Sequence, residues 1–149
     1  MRAKTQEAIM EITELTIKNC EEVISLWQST EGVGLDKDVD TKERIGIYLQ
    51  RNPGLSFAAF EKGKVIGAVL CGHDGRRGYL HHLTVAEAHR NKGIGNALVD
   101  KVISKLRMLG IRKCNIFVFA NNPGGQEFWK KSGWVERTDL KVMSKDIPP

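Results

Sequence analysis

Two groups of residues in this 149-residue chain have the types and spacing to do chemistry. The first is Val85 to Leu98, VAEAHRNKGIGNAL, where a basic loop with two glycines leads into a long apolar-periodic stretch. A helix opening there aims unpaired main-chain N–H groups, at the positive end of its dipole, toward an anion such as phosphate. Gly93 and Gly95 let the backbone approach phosphate oxygens, and Arg90 and Lys92 add charge beside it. Two other phosphate loops do not fit. No GxxxxGK[ST] segment occurs, and Leu98 stands at the third position of a G-x-G-x-x-[GA] fingerprint. The bland alternative is a glycine-containing helix start with no ligand. The second group is Tyr79, His81 and His82 in YLHHLTV. In a regular strand Tyr79 and His81 share a face and His82 takes the other; a bulge would exchange the two histidines. Imidazole, with a pKa near 6.5, suits proton transfer at neutral pH. For either histidine a hydrogen-bonded core position is the alternative.

The elements that must position these groups follow from periodicity. Residues 11–17 alternate as a strand. Asn19 with Glu22 resembles a capping box opening a helix to about Ser29, with Cys20, Val23, Ile24 and Trp27 on its apolar face. A loop, EGVGLDKDVD, leads to a second helix over 41–51, ended by Asn52-Pro53-Gly54. Strands are expected at 55–61 and 65–72, joined by Lys62-Gly63, and at 79–85 after the turn HDGRRG. A helix over 93–109 carries Ile94, Ala97, Leu98, Val102, Leu106 and Leu109, with Gly110 as its cap. Residues 114–119 read as a strand buried on both faces, 123–132 as a short helix with Pro123 in its first turn, and 134–144 as a final strand. The order is β-α-α-β-β-β-α-β-α-β, a mixed α/β (α+β) chain forming one domain over 10–149, with residues 1–9 as an extension.

Composition narrows the classes. Hydrophobic residues make up 41% and charged residues 28%, as in ordinary globular proteins, which argues against disorder. No apolar run reaches the ~20 residues of a membrane helix, and the N-terminus has no signal-peptide pattern. Cys20, Cys71 and Cys114 are far apart and odd in number, so they read as reduced thiols in the cytoplasm. No metal-ligand cluster is present in the sequence. Residues 1–60 hold seven Lys/Arg against ten Asp/Glu, whereas 89–131 hold nine against two. That basic segment suits an anionic partner. Its charges are dispersed rather than blocked, which disfavours nucleic acid.

Arg90-x-x-Gly93-x-Gly95, after a strand ending Leu83-Thr84-Val85, resembles the acetyl-CoA-binding motif of the GNAT N-acetyltransferases. Asn122 followed by Phe128-Trp129-Lys130-Lys131-Ser132-Gly133-Trp134 is similar to that family's Asn…LYEKLGF segment, and the element order from about 10 to 146 also fits. The resemblance implies a mostly antiparallel twisted sheet of six to seven strands, splayed between the fourth and fifth, with about four helices. It implies that main-chain groups of Leu83 and Val85, flanking Thr84, pair with the pantetheine arm. Amides of Arg90, Asn91, Lys92, Gly93, Ile94, Gly95 and Asn96 would hold the pyrophosphate, and Asn122 would bond the arm. It further implies direct acetyl transfer to a primary amine of a small amine, amino acid-like compound or peptide. A sheet-edge homodimer is common in such proteins. A non-catalytic acyl-CoA sensor is the competing reading.

The family's usual acid, a tyrosine seven residues after the asparagine, is replaced here by Trp129. Indole donates a hydrogen bond but no proton at neutral pH, so Trp129 is left to pack against the cofactor arm. Similar positions in arylalkylamine N-acetyltransferases carry a histidine relay. His81 is therefore the expected base and Tyr79 the acid or relay; Tyr48 is the other tyrosine. On the acceptor side, Glu31, Asp36, Asp38 and Asp40, with Trp27 and Tyr48, would attract a cationic amine. A solvated loop is the simpler reading of those carboxylates.

Overall fold

A computed structural model describes residues 10–149; the expected extension over 1–9 lies outside them. The chain divides into one compact unit that ends at Phe117 and another spanning Val118–Pro149. The first contains β1 (Glu11–Glu14), α1 (Cys20–Gln28), α2 (Lys42–Arg51), β2 (Phe57–Glu61), β3 (Lys64–His73), β4 (Gly78–Val85), α3 (Ile94–Met108) and β5 (Cys114–Ile116). The second contains α4 (Pro123–Lys131).

The five strands form one sheet in the order β1-β2-β3-β4-β5. Each pairing is antiparallel except the last, where β5 runs parallel to β4. Parity along β3 assigns its two faces. Ala68 and Leu70 pack with Val23 and Trp27 of α1 and Ile45 of α2. Gly67, of opposite parity, lies under Ile94 and Leu98 of α3; a Cβ there would come within 3.2 Å of Leu98. Helices α1 and α2 thus cover one face and α3 the other. The β2–β3 turn at Lys62-Gly63 has both φ angles positive, as a two-residue hairpin requires. The HDGRRG turn closes on itself, Asp74 Oδ1 accepting from the amides of Arg76 and Arg77 at 2.8 Å.

Three expectations change. The sheet has five strands among the described residues, because 134–144 forms none. That segment alternates only in part, and Arg137 pairs locally with Asp139 at 2.8 Å. Val135, Val142 and Met143 remain exposed. A strand needs a partner edge, which propensity alone does not supply. The element order is otherwise as expected, without the last strand. Secondly, β5 is three residues long and half-buried rather than buried on both faces, and Phe117 after it is 60% exposed. Thirdly, Asn19 makes no side-chain cap on α1. Its Oδ1 accepts from Thr16 Oγ1, and Glu22 Oε2 instead accepts the amide of Val65, fastening α1 to β3. A side-chain cap that the sequence reading did not name forms at α2, where Thr41 Oγ1 accepts from Arg44 N at 3.1 Å.

Candidate active site

Strand β4 is the axis of the site. Its ladder with β5 covers only Gly78 to Leu80, opposite Cys114 to Ile116. Residues His81 to Val85 run on without a partner strand on that side among the described residues. The ladder thus ends at the pair of strands, the fourth and fifth, between which a splay is expected. An extended ligand could add its own amides to the open edge, since main-chain donors and acceptors stand in a row there. The other edge of β4 is occupied by β3 through Val85, and Ala86 N donates to Ile66 O at 2.8 Å. Alternation then directs the main-chain groups of Leu83 and Val85 to the open side.

The pairing of β3 with β4 slips midway. Leu70 faces His81 and Ala68 faces Thr84, so Val69 alone opposes His82 and Leu83. His82 takes up the extra residue with φ of +55°, a region few non-glycine residues enter. Its carbonyl accepts from Trp27 Nε1 at 3.1 Å and from Thr84 Oγ1 at 3.0 Å. The bulge does not exchange the histidines; it brings both to the α1–α2 side. His82 meets Trp27 edge-on at 5.0 Å between ring centroids, His81 meets Tyr48 of α2 at 6.3 Å, and the two imidazoles are 6.4 Å apart. Phe117 stacks on Tyr79 and on His81, each at 6.4 Å. Tyr79 and His81 therefore share a face, as expected.

Burial pushes His81 below the ordinary histidine range; the neighbouring His82 adds to this and Asp40 opposes it. Burial thus favours the neutral ring, the form that can accept a proton. Tyr48 moves the other way, its phenol raised mainly by burial. Its Oη is buried without a hydrogen-bond partner among the described residues, over Gly72.

Asp40 reaches this cluster from the α1–α2 loop, its Oδ1 2.9 Å from His82 Nε2, with side chains 10% and 16% exposed. Its Oδ2 accepts from Asp36 N, and Asp36 Oδ1 accepts from Asp38 N, both at 2.8 Å. The carboxylates of Asp36 and Asp40 are thus engaged in local turns and in the histidine contact.

Beyond β4, Glu87–His89 makes a 3₁₀ turn and Arg90 folds back, its Nε donating to Val85 O at 3.0 Å. Asn91 and Gly93 both have positive φ. Gly93, at +80°, is the N-cap of α3 and, lacking a side chain, supplies no cap of its own; no acidic residue stands in the first turn. The loop, which carries Lys92, therefore presents the electropositive N-terminal end of α3 at Ile94 and Gly95. His89 Nε2, 3.3 Å from Glu61 Oε2, ties this loop to β2.

In the second unit, Asn122 caps α4, its Oδ1 accepting from Gly125 N at 3.0 Å. Trp129 packs edge-on to Trp134 at 4.9 Å and to Phe128 at 5.1 Å. Thr84, expected beside the cofactor, is buried, and its Oγ1 donates to His82 O. Sequence reasoning missed the Asp40–His82 contact, which joins residues 42 positions apart with no local signal. It also missed the Glu61–His89 tie and the stacking of Phe117. No group of three or more His, Cys, Asp or Glu placed to hold a metal occurs among the described residues. No helix among them is long and apolar enough to cross a membrane.

Comparison with known proteins places the chain in a family. Residues 20–134 match the model of the acetyltransferase (GNAT) family. An acetyltransferase of Photorhabdus laumondii is 34% identical over 136 residues, covering 90% of this chain and 92% of its own. One from Sodalis glossinidius is 29% identical over 140 residues, covering 93% and 96%. Among solved structures, a GNAT acetyltransferase of Staphylococcus aureus superposes with a TM-score of 0.76 at 23% identity, covering 89% of each chain. The PaiA N-acetyltransferase of Thermoplasma acidophilum, in complex with coenzyme A, superposes with 0.73 at 21% identity, covering 83% of this chain and 88% of that one. With the family model spanning most of its length, the chain belongs to the acetyltransferase (GNAT) family.

Proposed function

We propose that the protein is an acetyl-CoA-dependent N-acetyltransferase that moves the acetyl group directly from the thioester to a primary amine. The observation that carries this reading is the end of the β4–β5 ladder after Leu80, on the strand that leads into the glycine-containing N-terminus of α3. A pantetheine arm carries amides that can pair with Leu83 and Val85, and its pyrophosphate suits the amides of Arg90 to Asn96 with the charge of Lys92. The Asn122 amide NH₂ is the group that would donate to the arm, its oxygen being used by the α4 cap. Trp129 supplies packing. Two similar structures support this ligand: PaiA in complex with coenzyme A, and AAC(6')-Iy with the bisubstrate analogue CoA-S-monomethyl-acetylneamine.

The chemistry asks little of the side chains. A neutral amine attacks the thioester carbonyl carbon, the C–N bond forms, the C–S bond breaks, and the thiolate leaves. The surplus amine proton passes to His81, directly or through one water. Tyr79, on the same face, supplies or relays the proton that the thiolate takes up. The bulge at His82 and Leu83 leaves main-chain groups outside the β3 ladder, where a donor can meet the charge growing on the carbonyl oxygen. The acceptor is a small amine, an amino acid-like compound or a peptide, entering from the α1–α2 side. Free thiols at Cys20, Cys71 and Cys114 suit a cytoplasmic enzyme. A homodimer through a sheet edge belongs to the same reading.

Calorimetry with acetyl-CoA, followed by a free-thiol assay across an amine panel, tests it. Micromolar binding with amine-dependent thiol release is expected. Binding without release across small amines and peptides would point to an acyl-CoA sensor, and no binding would overturn the proposal.

A further inference from the structure

The α1–α2 loop reaches β4 through a charged contact, Asp40 Oδ1 to His82 Nε2 at 2.9 Å. A carboxylate oxygen only accepts, so Nε2 carries the hydrogen and a neutral His82 has its lone pair on Nδ1. The main chain of the same histidine is held by Trp27 and Thr84 in its left-handed conformation. The second oxygen of Asp40 closes the loop's own turn on Asp36 N at 2.8 Å. One carboxylate therefore joins the turn to the strained residue of the bulge, next to His81. Resting on the acetyltransferase reading above, we infer that Asp40 is a positioning residue acting through His82: it fastens the α1–α2 loop to the β4 bulge and sets the acceptor side of the site.

His81 meets Tyr48 from α2, His82 from its own strand and the apolar ring of Phe117, Asp40 acts on it from the loop, and Tyr79 shares its face of the strand. Two of these act on its charge in opposite directions. A protonated His82 opposes a proton on His81, and the Asp40 carboxylate favours one. Loss of either partner therefore moves His81 in opposite senses, a signature that simple loosening of a loop would not produce.

The test uses the full chain with D40A, D40N and H82Q. In substrate-free protein, ring-nitrogen NMR should show the His82 Nε2–H tautomer in the parent and a mixture in D40A. The titration midpoint of His81 should fall in D40A and D40N and rise in H82Q. In turnover, D40A should raise the acceptor KM about tenfold, the scale of one charge-assisted hydrogen bond, while acetyl-CoA affinity stays within about twofold. D40N, which keeps an acceptor oxygen, should recover part of that loss. An unchanged tautomer in D40A, or His81 midpoints moving the same way in the Asp40 and His82 variants, overturns the inference. So does an equal loss of acceptor and acetyl-CoA binding. If the parent neither binds acetyl-CoA nor transfers, the acetyltransferase reading falls, while the NMR still decides the Asp40–His82 pair. If D40A does not fold, D40N decides through the His81 midpoint.

Discussion

Replacing Trp27 with Phe keeps an aromatic ring in the core and removes the indole N–H that donates to His82 O at 3.1 Å. Trp27 is 1% exposed, so nothing compensates from solvent for the volume lost. The missing hydrogen bond costs about 1 kcal/mol and the smaller ring roughly another 1 kcal/mol, giving about 2 kcal/mol. Thr84→Val removes the second donor, Oγ1 at 3.0 Å, for about 1 kcal/mol. If the two changes were independent they would sum to about 3 kcal/mol. They share one acceptor, however. Either single variant leaves the carbonyl one of these partners; the double variant leaves it neither, and an unsatisfied carbonyl at this half-buried position costs about 1 kcal/mol. The residue bearing it is also held at a positive φ, which costs a non-glycine residue roughly 1–2 kcal/mol and needs those anchors. The double variant should therefore be less stable than the sum by at least about 1 kcal/mol. Urea denaturation with linear extrapolation measures all four corners of the cycle. An additive cycle, or a double variant more stable than the sum, would refute the claim that these donors together hold the bulge.

Three further outcomes are expected. His81→Ala should lower kcat/KM by about 10²-fold or more and abolish the acidic limb of its pH profile; an unchanged limb would remove His81 as the base. Because burial lowers the folded pKa of His81, its contribution to stability is present above the unfolded value near 6.5 and declines as pH falls through the folded value. Denaturation of parent and variant across pH 5–8 should show that slope in the parent only. Gly93→Ala should cost about 1 kcal/mol from its φ of +80°, although a Cβ there meets nothing within 4 Å, and should weaken acetyl-CoA binding by calorimetry; Gly93→Asn should cost less. Gly72→Ala would place a Cβ 2.8 Å from Tyr48 Oη and from Asn52 Nδ2, costing about 1–3 kcal/mol by overpacking. Thermal melts should show partial rescue by Tyr48→Phe, which removes one of the clashing atoms.

The residues themselves determined much of this protein. Periodicity placed α1, α2 and α3 within a residue or two, because an amphipathic stripe with its caps is a local property. The basic loop from Arg90 to Asn96 was legible because glycines, a preceding strand and a helix start occur together within a few residues. Tyr79 and His81 shared a face by parity alone. Tertiary structure decided the rest. Whether 134–144 becomes a strand depends on a partner edge, and the alternating residues carry no information about that edge. The relation between His81 and His82 depended on a one-residue slip against Val69, which reverses side-chain parity without altering any local sequence signal. Asp40 looked like one more carboxylate in an acidic loop until folding brought it across 42 positions to His82. Backbone preference acts over a few residues and is written in the sequence. Side-chain partnership acts through space, and only the packed chain brings those partners within hydrogen-bonding distance.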